Sequence, residues 1–226
     1  MGTRHLIIIF HDGKYKLAHY GQWDGSPEGQ GIVVLKFLSD QENIIKLFAN
    51  LDKLYSPTQD NFQEFNVRAQ DFKNKAQSRL NELQNLEDVD SIIEEFEETQ
   101  NQVLKPLSYV YPSISRDTGA RILEIIANCD RPVPVVYDLD FIEDSLSCEW
   151  AYVIDFDSSM LEVYAGGYKT SAVTRFDKLD LMKPGQRCDL GANVTKTTPG
   201  LVGSWDLQEL PSEERFLQEI VHTMPL

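Results

Sequence analysis

Apolar residues open the chain in two short bursts. Residues 5–10 (His-Leu-Ile-Ile-Ile-Phe) and 14–20 (Lys-Tyr-Lys-Leu-Ala-His-Tyr) flank His11-Asp12-Gly13. An Asp-Gly pair between two β-branched and aromatic runs predicts a hairpin. With Asp12 and Gly13 as the turn, opposed positions sum to 25. Thr3 then faces Gln22, His5 faces Tyr20, Ile7 faces Ala18 and Ile9 faces Lys16, and these pairs share one side of the sheet. The other side carries Arg4, Leu6, Ile8, Phe10, Tyr15, Leu17 and His19. Both sides are apolar midway along the hairpin, so the sheet is expected to be covered on both.

Further along, the pattern alternates between turn-rich and helical. Residues 21–31 hold four glycines and a proline, which predicts a shaped loop. Residues 32–38 fit helix or strand equally. Ser39-Asp40-Gln41-Glu42 reads as a capping box, and Ile44, Ile45, Phe48 and Leu51 continue at helical spacing to about Leu54. In 60–105, Phe62, Phe65, Ala69, Phe72, Ala76 and Leu83 recur at steps of three and four. Ser91-Ile92-Ile93-Glu94 reads as a second capping box. An antiparallel helical pair is predicted, bent near Leu86–Asp90 and inserted at 58–105. A buried helix follows from about Ser115 to residue 128, then an edge strand at 133–137. A second hairpin joins 150–156 to 160–164 across Asp157-Ser158-Ser159. Residues 166–203 read as loop, and a last helix spans 212–222.

These elements predict one α+β domain over residues 1–226. A mainly antiparallel sheet, made from the two hairpins and the 133–137 strand, is covered by helices at 41–54, 116–128 and 212–222. An αββα sandwich, two sheets between helical layers, is the expected form.

Composition narrows the function classes. The 226 residues include 36 acidic and 21 basic side chains, a net charge of −15, which repels a phosphate backbone. No run of Lys and Arg offsets it, so nucleic acid is not an expected partner. The N-terminus has no long apolar stretch, so neither a signal peptide nor a membrane partner is expected. Three cysteines (Cys129, Cys148 and Cys188) are too few and scattered for a disulfide framework, and reduced thiols in the cytoplasm are expected. No recognised ligand spacing implies a metal or a cofactor.

The chemistry-bearing residues gather at the open end of the first hairpin. Thr3, Arg4, His5, His19, Tyr20, Gln22, Trp23 and Asp24 offer a hydroxyl, imidazoles, a cation and a carboxylate. Glycines beside them let backbone N–H groups approach a ligand. An Arg4–Asp24 pair would fix the loop to the N-terminus. Glu28 and Gln30 on the glycine-rich loop, and Arg116 near a helix start, complete a candidate binding set with Tyr20, Gln22 and Trp23. Two functions follow. In the first, the hairpin end and glycine-rich loop hold a small molecule or peptide, while the 58–105 arm contacts a protein partner. In the second, Thr3, Arg4, His5 and Asp24 form a hydrolytic site.

The start Gly2-Thr3-Arg4-His5, the block Tyr20-Gly21-Gln22-Trp23-Asp24-Gly25 with Pro27-Glu28-Gly29-Gln30-Gly31, the segment Ser115-Arg116-Asp117-Thr118-Gly119 and the run Glu149 to Asp155 resemble a group of mainly fungal proteins. The resemblance covers most of the chain outside 56–105 and implies no activity. Gly2-Thr3 followed by a hairpin is also similar to the beginning of N-terminal nucleophile hydrolases. That similarity implies two stacked sheets and Thr3 as a nucleophile whose own α-amine is the base. It further requires cleavage after Gly2 and a downstream lysine, for which Lys36 is the candidate; His19 stands where those enzymes hold a supporting carboxylate.

Overall fold

The computed structural model describes residues 2–85, 92–168, 173–179, 181 and 197–224. The expected bend near 86–90, the Ser91 cap and Cys188 lie outside them. Both predicted hairpins form. The first joins β1 (His5–His11) to β2 (Lys14–Gly21), and the second joins β5 (Trp150–Asp155) to β6 (Met160–Ala165). With β7 (Gly200–Asp206) they share one mixed sheet of order β2-β1-β5-β6-β7, in which β1 and β5 run parallel and the other pairs antiparallel. The fold is therefore α+β with a mainly antiparallel sheet.

The edge strand β7 (Gly200–Asp206) occupies part of the stretch expected to be loop. Gly200 and Gly203 mask its pattern. The Trp205 indole folds over Gly203, where a Cβ would lie 2.1 Å from Cη2. The 133–137 strand is reduced to β4 (Val133–Pro134) and does not join the sheet. It pairs in parallel with β3 (Leu54–Tyr55), and the Val135 N–H extends the contact to the Tyr55 carbonyl at 2.9 Å.

One side of the sheet packs on helices. Ile7, Ile9, Tyr152, Ile154, Leu161 and Val163 meet α1 (Ile32–Leu38), α2 (Gln41–Ala49), α6 (Ile122–Ala127) and α7 (Glu213–Thr223). On the other side Leu6, Ile8, Ala18, Ala151, Val153 and Tyr164 are covered by Leu139, Ile142, Cys148 and Phe176. Among the described residues, these irregular segments stand where a second stacked sheet was expected. Burial pushes the Cys148 thiol far above its ordinary range, so it is inert.

Helix boundaries differ from expectation for local reasons. Residues 32–38 are helical, entered through a π-helical turn at Pro27–Gly31. The cap of α2 is Asp40, whose carboxylate accepts the Glu42 N–H at 2.9 Å. Ser39 instead donates to the Leu35 carbonyl at 2.8 Å and closes α1. Helix α2 stops at Ala49, not Leu54, because Asn50 Nδ2 donates to the Ile126 and Ala127 carbonyls, both at 2.9 Å, and so caps α6. The 116–128 helix shortens to a 3₁₀ turn at Gly119–Arg121 and α6, since Gly119 holds φ +55°.

The arm is a helical pair with an added turn. Thr58 and Asn61 cap α3 (Gln59–Leu83) reciprocally. It packs on α4 (Ile93–Leu104) and α5 (Pro106–Val110). Contacts Arg79–Glu95, Phe72–Tyr109 and Phe65–Tyr111 run in opposite directions along the chain, as an antiparallel pair requires.

A charged cluster closes the sheet near the second hairpin. Arg175 pairs with Asp155 and, at 2.8 Å, with Glu162, which also accepts from the Tyr164 hydroxyl at 2.7 Å. Its guanidinium lies 5.0 Å from the centre of the Phe10 ring.

Candidate functional site

The first hairpin turns at Asp12-Gly13 as expected, with Phe10 opposite Tyr15 and His11 opposite Lys14. A bulge between Ile9 and Phe10 then shifts the register by one. His5 faces Gly21, Ile7 faces His19 and Ile9 faces Leu17. The pairings of His5 with Tyr20 and of Thr3 with Gln22 are thereby overturned. An extra residue moves every later side chain of β2 to the opposite side. His5 and His19 consequently share the helix-covered side, and Tyr20 turns to the other, edge-on to Phe141 at 5.0 Å.

Both histidines are buried, at 0% and 2% exposure. The His5 ring fits between two glycines. A Cβ on Gly21 would lie 2.1 Å from its Cε1, and one on Gly25 would lie 2.8 Å from its Nδ1. Among the described residues, neither His5 ring nitrogen nor His19 Nε2 has a hydrogen-bond partner. Burial lowers the His5 pKa to about 4, against the pull of the Thr3 backbone carbonyl. Burial and the neighbouring His5 lower His19 to about 3. Both are neutral core residues at pH 7. Gly21→Ala is therefore expected to cost about 1–3 kcal/mol through overpacking. In a His5→Ala background the same change should cost far less, and denaturant titration of the four-member cycle measures the difference.

The rest of the expected cluster is tied into the frame. The Thr3 carbonyl accepts the Gly25 N–H at 2.9 Å. Arg4 pairs with Glu149, not with Asp24: its N–H donates to Glu149 Oε1 at 3.0 Å, and its Nε lies 3.9 Å from the same oxygen. Glu149 is brought there because β1 and β5 are parallel neighbours. Asp24 is exposed at φ +53°, and its carbonyl accepts the Gln30 N–H at 2.8 Å. Tyr20 donates to Gln22 Oε1 at 2.7 Å, and Glu28 is exposed. Lys36, on α1, lies 3.3 Å from Glu213 of α7.

Three bonds join this hairpin end to the segment after the arm. The Gln22 N–H donates to the Arg116 carbonyl at 3.0 Å. The Ala120 N–H donates to Gln30 Oε1 at 2.7 Å. Trp23, 46% exposed, donates its indole N–H to Asp117 Oδ1 at 2.9 Å. Asp117 Oδ2 lies 3.0 Å from Lys105 Nζ at the end of α4. Burial works to raise the Asp117 pKa, but hydrogen bonds from Trp23 and Lys105 outweigh it and hold the carboxyl below its ordinary range.

Asp117 also lines a groove of about 550 Å³ between arm and body. Glu98, Asn101, Lys105, Ser108 and Tyr109 come from the arm. Ser115, Asp117, Thr118 and Arg121 come from the body side. Ser108 and Ser115 hydroxyls meet at 2.8 Å, and Tyr109 donates to Glu98 at 3.2 Å. The Gly119–Arg121 turn that carries Arg121 packs on β1 and β2, so the hairpin end supports one wall. Trp23 reaches the groove through its bond to Asp117 and Arg116 precedes that residue in the chain, while none of the other expected residues lines it. Sequence reasoning missed Asp117, Lys105 and Arg121. The polar density of Ser115-Arg116-Asp117-Thr118 is the available signal, although in the sequence it reads equally as a helix start.

Among the described residues no group of three or more His, Cys, Asp or Glu could hold a metal ion, and no helix is long and apolar enough to cross a membrane. No protein-family model matches the chain, and neither the curated proteins nor the solved structures contain a match.

Proposed function

We propose that the chain is a binding protein for a small zwitterion, an amino acid or short peptide with free termini, held in the groove between arm and body. The observation that carries this reading is the presence of both charge signs on one groove: Lys105 and Arg121 with Glu98 and Asp117. A volume of about 550 Å³ suits a ligand of this size. Arg121 offers a planar fork for a carboxylate, and Glu98 accepts an ammonium. Ser108, Ser115 and Tyr109 line the same groove. Trp23 reports on the site, because its indole hydrogen bond ends on a lining carboxylate.

Titration of the full chain with triglycine, followed by amide and indole N–H shifts, tests the proposal. Shifts at Lys105, Asp117, Arg121 and the Trp23 indole are expected. Acetylating and amidating the peptide should weaken binding about tenfold or more, since each end loses a charge-assisted bond. Arg121→Gln should weaken the free peptide about tenfold and leave the blocked peptide unaffected. Equal binding of free and blocked peptides would overturn the zwitterion reading.

A further inference from the structure

At the far edge of the sheet, β7 runs beside α7 and leaves a second groove of about 550 Å³, lined by Val202 to Trp205 and by Gln218, Glu219, His222 and Thr223. We propose that this groove takes an extended, basic peptide segment of another protein, which adds to the sheet beside β7.

The backbone comes first. Among the described residues, the N–H and C=O groups of Gly200 to Trp205 bond only within the ladder to β6. The opposite edge differs, because the Asp138 N–H is bonded to the Ala18 carbonyl of β2 at 2.9 Å. A sheet edge with unpaired groups is a template for another strand, and most proteins blunt it. Tyr168 lies against Gly200 and donates its hydroxyl to the Thr223 carbonyl at 3.0 Å, which closes the Gly200 end. From Val202 to Trp205 nothing described covers the strand, and α7 supplies the far wall of a channel along it. Strand addition of this kind draws affinity from main-chain bonds and selectivity from the walls.

Side chains set the room and the charge. The Trp205 indole fills the space over Gly203, and Ser204 beside it is small and exposed, so an approaching backbone meets a flat ring and a short side chain there. The Trp205 indole, held by its N–H to Glu219 Oε2 at 2.6 Å, floors the channel. Glu219 also binds Arg215 at 2.6 Å through its other oxygen, which leaves lone pairs for a further cation. Asp206 is exposed at the end of β7, and Glu214 stands in the first turn of α7. Arg215 is paired with Glu219 and Lys36 with Glu213. On a chain of net charge −15 this channel selects Lys or Arg on the incoming strand.

The probe is an acetylated, amidated Lys-Val-Lys-Val-Lys-Val hexapeptide, whose blocked ends keep it out of the zwitterion groove. Added to the full chain, it should shift the amides of Gly203, Ser204, Gln218 and His222 and slow hydrogen exchange along β7. A Glu-Val repeat of the same length should bind about tenfold more weakly or worse. Gln218→Trp, a change at an exposed helix position, should fill the channel and weaken binding about tenfold, with an unchanged melting temperature. Three outcomes overturn the proposal. One is unaltered binding by Gln218→Trp. Another is a set of shifts confined to the acidic arm. The third is dimerisation through β7 without peptide, which would give the edge to a second copy of this chain.

Discussion

Arg175→Met is expected to destabilise the protein by about 3–5 kcal/mol, because it leaves two carboxylates facing a low-dielectric layer without their cation. Asp155 and Glu162 have side-chain exposures of only 6% and 16%, and both pair with Arg175. Burial opposes ionisation of Asp155. The Arg175 hydrogen bond and the backbone N–H of Ser158 outweigh it and hold its pKa below the ordinary value. Without the arginine the two carboxyls repel, and one of them takes up a proton more readily. The loss should therefore be largest near pH 7 and smaller near pH 5. Adding Asp155→Asn and Glu162→Gln to Arg175→Met should restore most of the stability, since an Asn oxygen can still accept from the Asp157 and Ser158 N–H groups, both at 2.9 Å. Urea midpoints for the single and triple variants check both statements. A single variant within about 1 kcal/mol of wild type, the range of an exposed ion pair, would show that the cluster is solvated.

Acid should unfold the protein through His5 and His19 before its carboxylates respond. Both histidines have folded pKa values, about 4 and about 3, below the unfolded 6.5. Above pH 6.5 neither state binds the proton, and the pair has no effect on stability. As pH falls from 6.5 toward 4, the unfolded chain takes up protons that the folded chain refuses. Stability drops by about 1.4 kcal/mol per pH unit for each histidine. For His5 alone that amounts to about 3 kcal/mol by pH 4. Asp155, with its lowered pKa, contributes stability that is lost only as pH falls further, through its folded pKa. The wild type should thus show a steep loss between pH 6.5 and 4. His5→Phe combined with His19→Phe should flatten it, as read from urea midpoints at each pH. An unchanged slope in the double variant would move the acid sensitivity elsewhere.

The two hairpins were legible because their signals are local. Asp12-Gly13 and Asp157-Ser158-Ser159 each lie between β-forming runs, and the hydrophobic periods identify α7 and the arm without help. What joins the hairpins was not legible. The pairing of β1 with β5 is parallel, and no turn residue announces a contact between His5 and Trp150. The bulge at Ile9/Phe10 was hidden too, since an alternation of apolar residues on both faces tolerates either register. That single residue decides whether His5 meets Tyr20 or the bare backbone of Gly21, so the expected cluster rearranged although the turn was placed correctly. The arm–body groove depends on Lys105 and Asp117 meeting from segments that periodicity describes separately. Strand β7 was lost because glycine at 200 and 203 breaks the alternation that defines a strand.

The parallel ladder also shapes how the chain is made. Its partners lie 145 positions apart, His5 with Trp150 through Phe10 with Asp155. At ribosomal rates of 5–20 residues per second, the newborn first hairpin waits roughly 7–30 s for its neighbour. Through that interval the strand Leu6-Ile7-Ile8-Ile9 offers one bare edge and two greasy faces to whatever is near. Until the partner strand arrives the polypeptide is at its most prone to aggregate, and truncation before residue 150 is expected to leave a sticky fragment.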